Sequence, residues 1–296
     1  MTSPTEARNP RTARIDQLPT IDMLRLINGE DATVADAVAE ALPELARAVD
    51  VAAEALAAGR RMFYFGAGTS GRLAVLDAAE LRPTFGLEPG RVVAHLAGGL
   101  GALVNPVEGA EDDESTGYRT AAAGVRAGDV VVGVSASGRT PYVGGALRAG
   151  RAAGAHTVLI SANPEAPLGP AADIHVAVDT GPEVITGSTR MKAGTAQKLI
   201  LNALSTAVMV RLGRTYSNLM TDMMATNEKL RGRQVRILEE ATGQDGAACR
   251  AALAEAGGES KVALLSLLTG ASVDDARGVL RDAGGRLDAA LRRLHR

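Results

Sequence analysis

Met62-Phe63-Tyr64-Phe65 runs directly into Gly66-Ala67-Gly68-Thr69-Ser70-Gly71-Arg72, and a helix-spaced apolar stretch ending near Glu80 follows. A short unbroken apolar run, a Gly and hydroxyl turn and then a 3.6-residue period describe one strand–turn–helix unit. Similar apolar runs recur at 92–96, 130–134, 157–160 and 174–178, each separated from the next by a longer segment. Strands that are apolar at every position are buried on both faces, so they belong to a parallel sheet covered by helices on either side. The expected class is α/β, a doubly wound, mostly parallel five-stranded sheet.

Residues 59–217 read as the sheet domain and 20–58, with helix-spaced Leu, Ile, Val and Ala, as N-terminal helices. Residues 1–19, rich in Pro, Thr and Arg, read as a mobile leader. Two long helical stretches are expected at 188–211 and 218–238, the second bearing a Met-rich stripe for core or subunit contact. Thr242-Gly243, Thr269-Gly270 and Gly284-Gly285 punctuate residues 239–296, which suggests a small C-terminal three-helix module for packing or for docking.

Lys and Arg total 32 against 34 Asp and Glu, so no basic excess exists to hold a nucleic-acid backbone or an anionic membrane. Aromatic residues make up 2% and Trp is absent, which argues against stacking platforms and for recognition by polar groups. The first residues lack the apolar core of an export signal, and no apolar run reaches the roughly 18 to 20 residues of a membrane span. Cys249 has no second cysteine to pair with, and four scattered histidines show no metal-ligand spacing. The expectation is a cytoplasmic protein with a small-molecule partner, without nucleic acid, membrane or metal.

Gly66-Ala-Gly68-Thr-Ser-Gly71 matches the dinucleotide fingerprint, but its adjacent hydroxyls, Thr69 and Ser70, and the Arg72 that follows suit a compact phosphate monoester better. The 130–134 strand enters a second such turn, Ser135-Ala-Ser137-Gly138-Arg139-Thr140-Pro141. Two hydroxyl-rich turns at helix N-termini can hold a phosphate on backbone N–H groups, side-chain hydroxyls and the positive helix end. For each Ser or Thr alone, ordinary helix capping is the competing reading. A third turn, Thr186-Gly187-Ser188-Thr189-Arg190-Met191-Lys192, opens a helix with two cations where the dipole favours anions. Either a bound anion or a salt bridge, for instance to Glu183, would relieve that conflict. Gly68, Thr69, Ser70, Ser135, Ser137, Arg139, Thr140, Ser188, Thr189 and Lys192 are the candidate substrate-binding residues.

These strands and S-x-S-G and G-T-S turns resemble the sugar isomerase (SIS) fold, which binds phosphosugars. The blocks Gly66-AGTSGRLAVLDAAE, Val107-Glu-Gly-Ala-Glu111-Asp112, Ser135-ASGRTPY, Thr186-GSTRMKAGTAQKL and Asn218 to Leu230 are similar to the N-acetylmuramic acid 6-phosphate etherases. The resemblance covers residues 16–296. It implies cleavage of the D-lactyl ether at C3 of the sugar phosphate by elimination after C2 deprotonation and then hydration, yielding N-acetylglucosamine 6-phosphate and D-lactate in peptidoglycan recycling. By motif, the two catalytic glutamates are Glu80, as the acid assisting lactate departure, and Glu111, as the base at C2. Where the family reads S-E-C-P-P-T, this chain has Ala79-Glu80-Leu81-Arg82-Pro83-Thr84. Two carboxylates suffice for the proton transfers, so no cofactor is expected.

Taken alone, Glu80 sits near a helix end that Pro83 is expected to enforce, and the negative end of a helix favours a protonated carboxylate, as a general acid needs. A plain surface glutamate is the alternative. From Gly71 to Glu80 a regular helix advances about 13.5 Å, long for one phosphosugar to bridge. A homodimer with the site at the subunit interface is therefore expected. Glu111 lies among Glu108, Asp112, Asp113 and Glu114. A solvated acidic loop and a base tuned by like charges are both open. The competing functions are a phosphosugar isomerase, which would lack the E-G-A-E-D block, and a non-catalytic phosphosugar sensor, which would not need both glutamates.

Overall fold

A computed structural model describes residues 4–225 and 227–294. The chain divides into two compact units, Met1–Ala78 with Gly90–Thr206 and Ala79–Pro89 with Ala207–Arg296.

The first unit begins with helices α1 (Thr20–Asp31), α2 (Val34–Glu40) and α3 (Leu42–Ala57). There follow β1 (Met62–Gly66), α4 (Gly68–Phe85), β2 (Val92–Leu96), α5 (Glu114–Gly124), β3 (Val130–Val134), α6 (Pro141–Ala152), β4 (His156–Ser161), β5 (Ile174–Ala177) and α7 (Lys192–Arg211). Helices α4 and α7 begin in the first unit and end in the second. The five strands are parallel in the order β2-β1-β3-β4-β5, the doubly wound sheet expected. β1 and β3 are buried at every position and the edge strand β2 only in part, which matches their unbroken apolar runs. Because β1 leads outward to β2 while β3 leads the other way to β4, the order reverses between β1 and β3. Gly66 is in register with Val134 there, so the two strand ends open side by side.

Phe63, Phe65, Val131, Tyr142, Val143 and Leu147 belong to one buried cluster that packs β1 and β3 against α6. On the same unit, Asp77 of α4 accepts hydrogen bonds from Tyr64 Oη (3.0 Å), Asn202 Nδ2 (2.8 Å) and Ser205 Oγ (2.9 Å), tying α4 and α7 to β1. Burial raises the Asp77 carboxyl above its ordinary range despite these three donors.

The leader departs from expectation. From Pro4 onward it carries 3-10 turns at Pro4–Glu6, Pro10–Thr12 and Ile15–Gln17, and Thr5, Asn9 and Thr12 are buried. Thr12 Oγ1 donates to Val184 O (2.8 Å), and Thr5 O accepts from the Gly187 N–H (3.2 Å). Its Pro and Thr content suits a strap held by single hydrogen bonds as well as it suits disorder. Residues 1–3 lie outside the described residues. Pro83 does not end α4 either: with one turn left, the lost N–H costs one bond, and the helix continues to Phe85 before Gly86 donates to Arg82 O (2.9 Å).

In the second unit, β6 (Thr215–Tyr216) and β7 (Leu219–Met220) form a hairpin, followed by α8 (Glu228–Thr242), α9 (Gly246–Glu255), α10 (Ser260–Thr269), α11 (Val273–Asp282) and α12 (Leu287–Leu294). The helix expected over 218–238 thus starts only at Glu228, where Asn227 Oδ1 caps the Leu230 N–H (2.9 Å); Thr226 within that stretch lies outside the described residues. The Met pattern ahead of the cap serves a hairpin and an irregular segment fixed by Asp222, whose carboxylate takes Lys261 Nζ at 2.6 Å. After α8, residues 246–294 form four helices where three were expected. The additional one, α9, is Ala-rich and buries Cys249 and Leu253, too little large apolar content to announce itself by period. The helix expected at 188–211 starts four residues later, at Lys192.

Helices α5 and α6 approach without side chains between them. A Cβ on Gly117 would lie 1.9 Å from Tyr142 O, and one on Gly145 would lie 2.1 Å from Glu114 O. Gly145→Ala should destabilise the fold by about 1–3 kcal/mol through overpacking, read as a lower urea midpoint. Gly101→Ala, with nothing within 4 Å, serves as the control; equal midpoints for the two variants would refute the close-packing account.

Candidate active site at the strand switch point

The first turn leaves β1 at Gly66 and opens α4 at Gly68. Gly71 must be glycine, since a Cβ there would lie 2.6 Å from Gly66 O and 2.4 Å from Leu96 Cδ1. Its N–H makes a bond to Ala67 O (3.2 Å). The N–H groups of Gly68, Thr69 and Ser70 precede it and have no preceding helical turn to bond, so they form the positive end of α4. Arg72 is directed elsewhere, its Nε donating to Ala102 O (3.0 Å) and Leu103 O (3.1 Å).

The second turn, between β3 and α6, is braced from several sides. Ser135 Oγ and Thr140 Oγ1 share a hydrogen bond of 2.8 Å, and Ser135 Oγ also accepts from the Gly138 N–H (3.1 Å). Behind it, Asn163 Nδ2 donates to Ser137 O (3.2 Å) and the Leu168 N–H to Gly138 O (3.0 Å). Ser135 is buried, Ser137 and Thr140 are half-buried and Arg139 is exposed. Thr140 occupies the cap position of α6 without a side-chain cap bond, so the capping reading does not account for its hydroxyl. Asn163 was not singled out from the sequence. The available signal was its place just after β4, at the same strand-end edge as both turns.

The third turn resolves the conflict at α7 internally. Glu183, fully buried, accepts the N–H groups of Lys192 (2.9 Å) and Ala193 (3.0 Å), so a carboxylate of the chain itself occupies the positive helix end. Burial nonetheless raises the Glu183 carboxyl above its ordinary range. Lys192, 1% exposed, sends Nζ to Glu30 Oε2 (3.0 Å) and Pro182 O (3.2 Å). Its charge is thereby committed to α1, and the partner is Glu30 where Glu183 was the expected example. Glu30 also receives the Arg11 guanidinium through Nε and through Nη2 (2.8 Å). Ser188 and Thr189 remain half-buried in the turn. Gly194 brings this turn to the first, since a Cβ there would lie 3.3 Å from Thr189 O and 3.5 Å from Thr69 Cγ2.

The acidic run divides by function. Asp113 caps α5 through the Thr116 N–H (2.8 Å), and the Thr116 hydroxyl and N–H and the Ser115 hydroxyl hold its pKa down at about 2. Glu114 pairs with Arg148. Glu108 and Glu111 instead line a cavity of about 260 Å³ together with Gly68 and Arg72. Glu111 O accepts the Tyr142 N–H (3.0 Å), which anchors this segment to the start of α6, beside the second turn. Glu80 lies on the part of α4 that belongs to the second unit; it is exposed, with Leu81 buried and Arg82 exposed next to it. The departure from the family motif thus places one residue inward and one outward. Among the described residues no group of His, Cys, Asp and Glu could hold a metal ion, and no helix is long and apolar enough to cross a membrane.

The SIS domain model matches residues 103–207, and that of the glucokinase regulatory protein N-terminal SIS domain matches 44–151. The chain is 62% identical over 267 residues to the N-acetylmuramic acid 6-phosphate etherase of Thermobifida fusca, covering 90% of this chain and 88% of that one. To the enzyme of the same name from Symbiobacterium thermophilum it is 55% identical over 266 residues, covering 90% and 89%. Among solved structures, a phosphoheptose isomerase from Francisella tularensis superimposes with a TM-score of 0.50 at 17% identity, covering 64% of this chain and 98% of that one, a likeness of fold.

The Glu30 cluster yields a pH prediction. Led by the Arg11 hydrogen bonds, its partners pull the Glu30 pKa from 4.5 to about 2. A lowered carboxylate contributes stability above its unfolded pKa and loses it as pH falls, here from about 4.5 to about 2. The linked stabilisation is at most about 3 kcal/mol, and less because Arg11 is 62% exposed. Glu30→Gln should also cost about 3–5 kcal/mol at pH 7 by leaving the Lys192 ammonium buried and unpaired. Urea unfolding from pH 7 to pH 3 checks both; a variant as stable as the parent at pH 7 would refute the assignment.

Proposed function

Because the chain belongs to the N-acetylmuramic acid 6-phosphate etherase family, we propose that it cleaves the D-lactyl ether of N-acetylmuramic acid 6-phosphate, releasing N-acetylglucosamine 6-phosphate and D-lactate. The observation that carries the reading is the cavity at the strand switch point, where Glu111 lines the same space as the phosphate turn at Gly68. The N–H groups of Gly68, Thr69 and Ser70 hold the phosphate with the hydroxyls of Thr69, Ser70, Ser137 and Thr140, while Ser135 shapes the second turn and Ser188 and Thr189 close the third side. Lys192 is not part of this set, its ammonium being taken by Glu30.

With the sugar open, Glu111 removes the C2 proton, and the electrons left on C2 pass to the aldehyde oxygen as an enolate. As they return, the C3–O bond breaks and lactate leaves with the proton of Glu80. Water then adds across the double bond: its oxygen joins C3, its proton goes to Glu80, and C2 recovers a proton from Glu111. The enzyme works in the cytoplasm on a sugar recovered from peptidoglycan. Glu111→Ala and Glu80→Ala should each lower D-lactate release by about 100- to 10,000-fold while keeping the parent's unfolding midpoint. A folded parent that releases no lactate would overturn the reading.

The working unit is a homodimer with the site at the subunit interface. Leu100, Val104 and Val107, 80%, 82% and 48% exposed, form an apolar edge on the segment that reaches the cavity, a costly exposure for a monomer. If the two glutamates of a site come from different chains, mixed dimers of Glu80→Ala and Glu111→Ala subunits regain one intact site. Recovered lactate release in the mixture is the expected result, and confirmed mixed dimers that stay inactive would place both glutamates on one chain.

A further inference from the structure

The substrate of this reaction carries two anions, a phosphate and the carboxylate of the lactyl group, and its sugar product keeps only the first. The phosphate is served by helix ends and hydroxyls, so the second anion needs a cation close to C3. The cation that lines the cavity and two others on the helices that follow the turns are committed within the fold. Arg72 is held on Ala102 O and Leu103 O, Lys192 on Glu30, and Arg148 on Glu114.

Arg139 is different. It is exposed, and its guanidinium has no hydrogen-bond or ion-pair partner among the described residues. The turn beneath it is fixed: Gly138 is bonded through its N–H to Ser135 Oγ (3.1 Å) and through its carbonyl to the Leu168 N–H (3.0 Å), and Asn163 holds Ser137 O. A Cβ on Gly138 would lie 2.2 Å from Ala166 Cβ, so the 163–168 segment covers one side of the turn, while Arg139 itself is exposed. Three residues on, the Tyr142 N–H grips Glu111 O (3.0 Å). The free guanidinium and the base proposed for C2 are therefore anchored to the same helix start, without an ion pair between them. The lactyl group hangs from C3, one bond from C2, which brings its carboxylate within the span of a long side chain rooted there.

We propose that Arg139 binds the lactyl carboxylate of the substrate and so selects the ether over the product and other phosphosugars that lack that acid. A planar guanidinium suits a carboxylate through two parallel N–H bonds, which makes the contact geometric as well as electrostatic. The inference rests on the etherase reading above.

The test measures, in the full-length protein, KM for N-acetylmuramic acid 6-phosphate and the inhibition constant of N-acetylglucosamine 6-phosphate. Arg139→Gln should raise KM by about 10- to 100-fold, the range for a charged hydrogen bond, and leave the product's inhibition constant within about twofold. Arg139→Lys should recover part of the loss, since it restores charge without the planar fork. Retained inhibition by the product reports that the variants are folded. Parallel weakening of both ligands would make Arg139 a phosphate contact and overturn the proposal, as would an unchanged KM, or a selective loss in Arg190→Gln in place of Arg139→Gln. A parent that releases no lactate sinks the etherase reading and this proposal together; a parent that does, with any of the other adverse results, sinks the proposal alone.

Discussion

The parallel pairing of β1 with β3, with Gly66 set beside Val134, is the constraint on which the rest depends. Backbone hydrogen bonding makes those two strand ends neighbours, and the reversal of strand order sends their following helices apart. The gap is thus bordered by two helix starts, and the positive dipole end of each opens toward it, with the first N–H groups of α4 left without a helical partner. Everything else near the gap positions that arrangement. The Asp77 cluster ties α4 and α7 to β1, Asn163 steadies the second turn from β4, and the glycine contacts of α5 and α6 let Glu111 share a backbone bond with the start of α6.

Burial separates the charged groups of the chain into those committed to the fold and those left exposed. Glu30, Lys192 and Glu183 are almost wholly enclosed and are bonded to one another, Arg11, Pro182 O and the α7 backbone. Groups enclosed to this degree must be paired, because an isolated buried charge is costly. Glu80, Glu111 and Arg139, by contrast, are exposed. A site for a doubly anionic sugar needs that separation, since a cation already neutralised by the fold has little left to offer a substrate.

The hydroxyl-rich turns illustrate the same economy. Ser135 is occupied by Thr140 and by the Gly138 N–H, which stiffens the turn and leaves Ser137 at its accessible edge. None of these hydroxyls caps α6; Ser135 and Thr140 brace the turn through each other. The segment 97–111 is held from the other side by Arg72, whose place after the first turn made it look like a phosphate ligand and whose guanidinium instead shapes the wall beside Glu108 and Glu111.

The strands, their parallel pairing and the two turns at the helix starts were legible in the sequence, because each is written in a local pattern: an apolar run, a glycine and hydroxyl turn, a helical period. Glu80 and Glu111 are singled out by the family motifs alone, and the fold leaves both exposed. The partner of the Lys192 ammonium was not legible, nor were the strap formed by residues 4–18, the hairpin at 215–220 or the fourth helix after α8. Lys192 and Glu30 are separated by 162 positions, and no periodicity relates them; the fold alone brings that carboxylate to that ammonium. Local pattern settles which backbone conformation a segment takes, since that depends on neighbours within a few residues. The partner of a charge depends on which distant segment excludes water from it, and only the tertiary structure decides that.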